Sequence, residues 1–390
     1  MSVITSRPVA RMPIARSLVR APKFDWVLMG ATAAIVVIGT LLVWSSTATN
    51  EALTGGASAA YLRKHLINIV IGVLLMLGVM VIDHRRVRLL APLLYLGSIV
   101  GLLLVLVMGS TINGSRSWLL IGGMSIQPSE FAKLAVVVGM ALIVAERTES
   151  AGGRRVNGVD VALMLALAAV PAMLIMLQPD LGTMLVLSAT VLGVVAVSGA
   201  PRRYLVALVS AAVATSVAAV TLGVLKPYQL DRFLAFIDPG LDPRGAGYNT
   251  TQARIAIGNG GFTGQGLFNG SQTRSGFVPE QHTDFIFTVA GEELGLIGAG
   301  LLIGLFLLLL WRALLISLDA PDMFGRLAAA GICCWLAFQA FQNIGMCLGI
   351  MPVTGVPLPL VSYGGTSMFA TMMALGLLHN ISLRSSRRSL

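Results

Sequence analysis

Charge is what this chain of 390 residues has least of: Asp, Glu, Lys and Arg together make up 11%, against roughly a quarter in soluble globular domains. That scarcity excludes a soluble enzyme, a disordered tail protein, a coiled coil and a collagen-like fibre. Acidic residues are rarer still, 17 against 27 basic, for a net charge of +10. The basic residues are scattered through short polar gaps and form no face, so no nucleic-acid binder is implied. Cysteine is nearly absent: Cys333, Cys334 and Cys347 lie in one apolar stretch, which leaves neither a disulfide framework nor a zinc cluster. Apolar residues are what the chain has, at 56% with a mean hydropathy of +0.85. These figures describe an all-α integral membrane protein.

A helix needs about 20 apolar residues to cross the hydrocarbon. That ruler predicts about ten transmembrane helices, at 26–46, 65–83, 89–108, 129–146, 160–177, 181–199, 204–225, 285–311, 326–349 and 364–383. Gln178-Pro179-Asp180 parts the fifth from the sixth as a tight turn. Trp26 and Trp44 bracket the first; eighteen residues at 1.5 Å each is about 27 Å, the spacing of two interfacial anchors. With basic residues before it and no small-residue cleavage site after it, this span reads as a retained anchor. Domain boundaries follow: a tail over 1–25, helices 1–7 within 26–225, a large extracytoplasmic loop at 226–284 between helices 7 and 8, helices 8–10 within 285–383, and a tail over 384–390.

Gaps on the side of the N-terminus hold 18 Lys and Arg, and gaps on the other side hold eight, five of them in the one long loop. The positive-inside rule then puts both termini in the cytoplasm. Loops beyond about 15 residues are usually functional or disordered. The 226–284 loop carries Tyr228, Phe233, Phe236, Tyr248, Ile255, Ile257, Phe262 and Phe277, too much apolar content for a disordered linker. Within it Arg254–Ile257 suits a short helix or strand. No internal repeat is visible, which disfavours a transporter built on inverted halves.

Carboxylates concentrate in this loop: Asp231, Asp238, Asp242, Glu280 and Asp284, with Glu292 and Glu293 just inside the next span. Asp242 stands in Asp242-Pro243-Arg244-Gly245-Ala246-Gly247-Tyr248. Pro243 forces it away from helical backbone, and the glycines allow a tight path that can hold the carboxylate toward a cavity; a plain turn aspartate fits the same residues. Gly258–Gly266 suggests a phosphate cradle but lacks the Gly-Lys-Ser/Thr ending, so a hinge or close-packed loop is the better reading. Glu280, His282 and Asp284 alternate, and in an extended segment they face one way, an arrangement suited to a divalent cation or simply to a solvated edge. Glu130 and Lys133, three apart at the start of the fourth span, share a helix face. Charges at membrane depth face a partner or a wet cavity, so they form a structural ion pair or meet substrate. Arg116, outward against the positive-inside trend, is a candidate for an anionic group. Pro352, Pro357 and Pro359, followed by Ser362-Tyr363-Gly364-Gly365, predict non-helical backbone that must be buried in protein or line a cavity.

Taken together, Asp242–Gly266, Phe277–Phe287, Glu292-Glu293-Leu294-Gly295, Gln127–Lys133, Asn343-Ile344-Gly345-Met346 and the 352–365 segment resemble the SEDS family (shape, elongation, division, sporulation), across all ten spans in order. The wording of Asn269–Thr273 with Phe277 resembles the family's elongation branch more than its division branch. The resemblance implies a peptidoglycan glycosyltransferase of the bacterial cytoplasmic membrane that polymerises lipid II into glycan strands. It implies Asp242 as the catalytic residue, and a class B penicillin-binding protein transpeptidase as partner alongside membrane lipids and the nascent strand. A divalent cation, magnesium or manganese, is implied with ligands unknown. Candidate substrate-binding residues are Arg63, Lys64, Arg116, Glu130, Lys133, Gln252, Glu280, His282 and Ser362.

The chemistry follows from that substrate. The acceptor GlcNAc 4-hydroxyl is a weak nucleophile that needs a carboxylate within hydrogen-bond reach. The undecaprenyl diphosphate leaving group needs positive charge or a metal rather than a proton donor. An α-linked donor giving a β-linked product is a single inverting displacement. A lipid II flippase and a non-enzymatic scaffold are the readings from other classes; neither needs a base at Asp242.

Overall fold

The computed structural model describes residues 24–388 apart from 49–56, 83, 113–114, 123, 151, 224–226, 239, 241 and 243–244. The N-terminal tail through Lys23, together with Lys226, Pro243 and Arg244, lies outside the described residues. The chain is a bundle of apolar helices: α1 (Trp26–Ala48), α2 (Ala60–Val81), α3 (His84–Met108), α4 (Pro128–Glu149), α5 (Gly158–Leu177), α6 (Leu181–Val197) and α7 (Arg202–Thr221). Short helices α8 (Pro227–Ile237), α9 (Ala246–Asn259) and α10 (Ser271–Ser275) occupy the long loop before α11 (Ile286–Asp319), α12 (Met323–Leu348) and α13 (Gly365–Arg388). All ten expected spans have a helix. Among the described residues nine are long and apolar enough to cross a membrane, and α6, at 17 residues, is shorter.

Local chemistry explains the boundaries. Pro128 starts α4, where its missing N–H costs nothing. Asn157 and Asp160 form a reciprocal capping box on α5. Asp180 ends the Gln178–Asp180 turn by accepting the Thr183 N–H at 3.0 Å and so opens α6. The expectation of purely helical structure needs one correction. Residues 110–126 form a small antiparallel sheet, β1 (Ser110–Ile112), β2 (Ser115–Ile121) and β3 (Met124–Ile126), on the loop side of the bundle. Strands β1 and β3 have three residues each, and the sequence of β2, Ser-Arg-Ser-Trp-Leu-Leu-Ile, does not alternate, so neither length nor alternation announces the sheet.

The long loop is ordered structure fastened to the bundle. Arg254–Ile257 is part of α9, a longer helix than expected. Helix α11 breaks at Gly295, whose φ of +65° suits glycine, and the broken turn is stitched to the glycine-rich loop. Gln265 and Gly266 donate their N–H groups to the Glu292 and Glu293 carbonyls at 3.0 Å each; Leu296 and Ile297 donate back to the Gly261 and Phe262 carbonyls at 2.9 and 3.1 Å. A Cβ on Gly264 would run into the Glu293 carbonyl. The close-packed reading of Gly258–Gly266 is therefore the right one.

Glu292 and Glu293 serve the same fastening. The Glu292 carboxylate accepts from the Gln272 N–H at 2.7 Å, the Thr273 N–H at 2.9 Å and the Thr273 hydroxyl at 2.7 Å, holding α10 in place. Glu293 accepts from the Ser45 hydroxyl of α1 at 2.6 Å. At the opposite end, Arg312 of α11 pairs with Asp25 at 2.6 Å, and Asp160 takes Arg147 and Arg154 at 2.6 and 2.7 Å. Helix α4 sits at the centre against α3, α5 and α12, whereas α7 packs chiefly on α6 and buries no residue.

Candidate functional site: a polar cavity at the loop end of the bundle

A cavity of about 430 Å³ opens between the loop and the helix ends. Its wall draws on every part of that side. The β-sheet gives Ser115, Ser117 and Ser125, the α5–α6 turn gives Asp180, and α4 gives Glu130. From the long loop come Arg232, Asn249, Glu280, Thr283 and Asp284, and the segment 353–357 closes the far side. The expectation that the proline-rich segment lines a cavity is met. It runs as a non-helical strap between α12 and α13, with Gly355 at a φ of +70°.

Glu130 and Lys133 are an ion pair in the bundle interior, Nζ to Oε1 2.7 Å, with side chains 2% and 1% exposed. The pair is not only structural in position, because Glu130 also lines the cavity and its Oε2 has no hydrogen-bond partner. Lys133 makes a second hydrogen bond, to Gln339 Oε1 at 2.8 Å, and its ammonium lies 5.0 Å above the Trp335 ring. Both contacts lower the cost of a charge held away from water.

Residues 280–284 do not form the extended edge expected of them. They are a turn in which the Thr283, Asp284 and Phe285 N–H groups converge on the Glu280 carbonyl at 3.0–3.2 Å, and Glu280 itself has a φ of +50°. Glu280 is exposed at the cavity mouth, His282 is buried behind it, and Asp284 is half-buried on the wall. Burial, reinforced by the Glu280 charge and only partly offset by Arg232, pushes the Asp284 carboxyl up to about 7. Burial lowers the His282 imidazole, against the pull of Glu280. Its ring packs edge-on to Tyr61 at 5.2 Å and near Tyr363 at 5.8 Å, at the cavity rim.

Asp242 stands at the start of α9. Its Oδ2 accepts the Ala246 N–H at 2.7 Å, and Asn249, one turn further along, reaches the cavity wall; Asp242 itself is half-buried and off that wall. Gln252 on the same helix is also half-buried and off the wall. Ser362 is a turn staple, its hydroxyl accepting the Leu358 N–H at 2.7 Å. Arg116 spends its guanidinium on the Val107 and Gly109 carbonyls at 2.8 Å each, where α3 ends. Arg63 and Lys64 are exposed at the start of α2, with Lys64 6.0 Å from the Tyr61 ring.

Among the candidates the fold thus brings Glu130 and Glu280 onto one wall, with Lys133 behind Glu130 and His282 behind Glu280. Arg232, Asp180 and Asn249 were not anticipated there. Arg232 could have been nominated as the cation at the head of the apolar run Phe233–Ile237, but nothing local signals which way such a run packs.

A membrane-spanning helical bundle with a polar, carboxylate-bearing cavity at one end is the class this architecture defines. The chain belongs to the FtsW/RodA/SpoVE family of cell cycle proteins, whose sequence profile matches residues 25–387. It is 37% identical to stage V sporulation protein E of Bacillus subtilis over 360 residues, 92% of this chain and 96% of that one. It is 36% identical to the peptidoglycan glycosyltransferase MrdB of Escherichia coli over 348 residues, 89% and 90% of the two chains. Among solved structures it superposes on a chain of a peptidoglycan synthase complex, described for its coordination of polymerization and crosslinking, with a TM-score of 0.77. That match has 35% identity over 94% of this chain and 99% of the other. The rod shape determining protein RodA of Thermus thermophilus superposes with a TM-score of 0.68 at 32% identity, over 94% and 98% of the chains.

Proposed function

We propose that this chain is a peptidoglycan glycosyltransferase that polymerises lipid II for cell elongation, working with a class B penicillin-binding protein at the outer face of the cytoplasmic membrane. The observation that carries this reading is the cavity: a polar chamber at the end of an apolar bundle suits a substrate with a sugar–diphosphate head and a lipid tail. The name of the Escherichia coli relative supports the reaction, and the description of the synthase complex supports a crosslinking partner. The Asn269–Thr273 wording supports the elongation role, and the Lys and Arg distribution supports cytoplasmic termini.

The acceptor 4-hydroxyl gives its proton to a carboxylate as its oxygen attacks the donor's anomeric carbon, and the bond to the diphosphate breaks with inversion. Asp242 is assigned as that base, at the N-terminal end of the helix that carries the wall residue Asn249. Arg232, on the cavity wall, is our candidate to meet the departing diphosphate. Among the described residues no three His, Cys, Asp or Glu side chains come together, and the ligands of the magnesium or manganese ion implied by resemblance are not assigned.

The test compares wild type with Asp242→Asn in detergent, with and without the cognate transpeptidase, given lipid II and a divalent cation. Glycan strands on a gel from wild type and none from a folded variant are expected. Equal strand formation by both removes Asp242 from the mechanism. No strands from either, with partner present and lipid II intact, sinks the polymerase reading in favour of a flippase or scaffold.

A further inference from the structure

Three amides on one face of α12, Gln339, Gln342 and Asn343, are fully buried. Each donates to the strap that closes the cavity. Gln342 Nε2 reaches the Pro352 carbonyl and the Thr354 hydroxyl at 3.1 Å each. Asn343 Nδ2 reaches the Val356 and Asp284 carbonyls at 2.7 Å each. Gln339 Nε2 reaches the Pro357 carbonyl at 2.9 Å. The strap is non-helical, so it lacks a helix's ladder of backbone bonds, and backbone of that kind must be satisfied by protein when water is excluded.

Gln339 differs from the other two in what its oxygen does. Gln339 Oε1 accepts from Lys133 Nζ at 2.8 Å and from Trp335 Nε1 at 2.6 Å. Neither donor can accept, and the Pro357 carbonyl cannot donate, so the amide has one orientation. Lys133 in turn holds Glu130 Oε1, and the other oxygen of this cavity-lining residue has no hydrogen-bond partner. Strap, amide, ammonium and carboxylate form one continuous line ending at the site.

We propose that Gln339 is a positioning residue for the transfer reaction, fixing Lys133 and through it the free oxygen of Glu130 on the cavity wall. The proposal rests on the polymerase reading. It requires the oxygen end of the amide to matter for turnover, beyond the strap bond made by the nitrogen end. Gln339→Leu removes both ends. Gln339→Glu, as the carboxylate facing the Lys133 ammonium, keeps an acceptor for Lys133 and Trp335 and loses the donor to Pro357.

The experiment measures kcat and KM for lipid II with the purified partner complex, after size exclusion and thermal melting confirm folding. Gln339→Leu is expected to lower kcat about tenfold, the worth of one hydrogen bond to a charged group, with KM moved less than about twofold. Gln339→Glu is expected to recover most of that kcat. If Gln339→Leu does not fold, Gln339→Met, of similar length and without hydrogen-bonding polarity, takes its place. A Gln339→Glu enzyme as impaired in kcat as the apolar variant overturns the proposal, because the strap bond alone would then account for the loss. So does an apolar variant with wild-type kcat. A wild-type complex that makes no strands is a different failure, that of the polymerase reading itself.

Discussion

Helices α4 and α7 look alike by length and hydropathy, 22 and 20 residues at 1.7 and 2.0, yet 83% of the α4 window is buried and none of α7. Both are apolar enough for a bilayer. The difference lies in what they can do besides being apolar. Helix α4 carries an ion pair three residues apart at one end, and it is surrounded by α3, α5 and α12, which shield that pair from lipid. Helix α7 carries Val206, Val213 and Val217, 56–64% exposed, and faces solvent that in the cell is hydrocarbon. In a membrane the driving force for burial is polarity and close packing rather than hydrophobicity, so the less apolar of two similar helices goes to the middle.

Breaking that contrast should be costliest on α4. Lys133→Met leaves Glu130 buried without its partner, and such a loss destabilises by about 3–5 kcal/mol; the melting point in detergent should fall sharply. Adding Glu130→Gln in the same chain should restore most of the stability and none of the turnover. Stability recovered without activity is the sharper form of the contrast, since it separates the pair's fit from its chemistry. Should the double variant stay as unstable as the single one, the pair's burial would not explain the position of α4.

A middle-sized effect belongs to the boundary between the two regimes, at Asp284. Its folded carboxyl titrates near 7, above the value of about 3.9 in an unfolded chain. The folded state therefore holds the proton more tightly, and stability declines as pH rises from about 4 through 7. Melting points taken between pH 5 and 8 should fall with pH in wild type and lose much of that slope in Asp284→Asn; an unchanged slope would place the titrating group elsewhere. The smallest effect is expected on α7, where Val213→Ala should move stability by less than about 0.5 kcal/mol. A larger loss by thermal melting would mean that α7 packs on more than α6.

How much of this could be read beforehand divides along the same line. Spans were legible because hydropathy is a property of a window, and Glu130–Lys133 was legible because a spacing of three on a helix fixes a shared face. The Gln178–Asp180 turn and the strap were legible because proline restricts its own backbone. What stayed hidden was whatever depends on a partner distant in sequence. Arg116 looked like a free outer cation, and the structure sets it on the end of α3. Glu292 and Glu293 stand out in the sequence only as carboxylates just inside a span, and they turn out to hold α10 and α1. Alternation in 280–284 suggested a strand, and the backbone instead folds onto the Glu280 carbonyl. Arg232 and Asp180 join the cavity only because separate elements meet there.

The four backbone bonds between residues 261–266 and the broken turn at Gly295 bear on how this chain can change over generations. Adding or deleting one residue on either side would slide donors past acceptors, and glycines at 264 and 295 leave no room to absorb the shift. That stretch of the long loop is therefore length-locked to α11, in the way two halves of a zipper are, and insertions should accumulate in relatives everywhere along the loop except there.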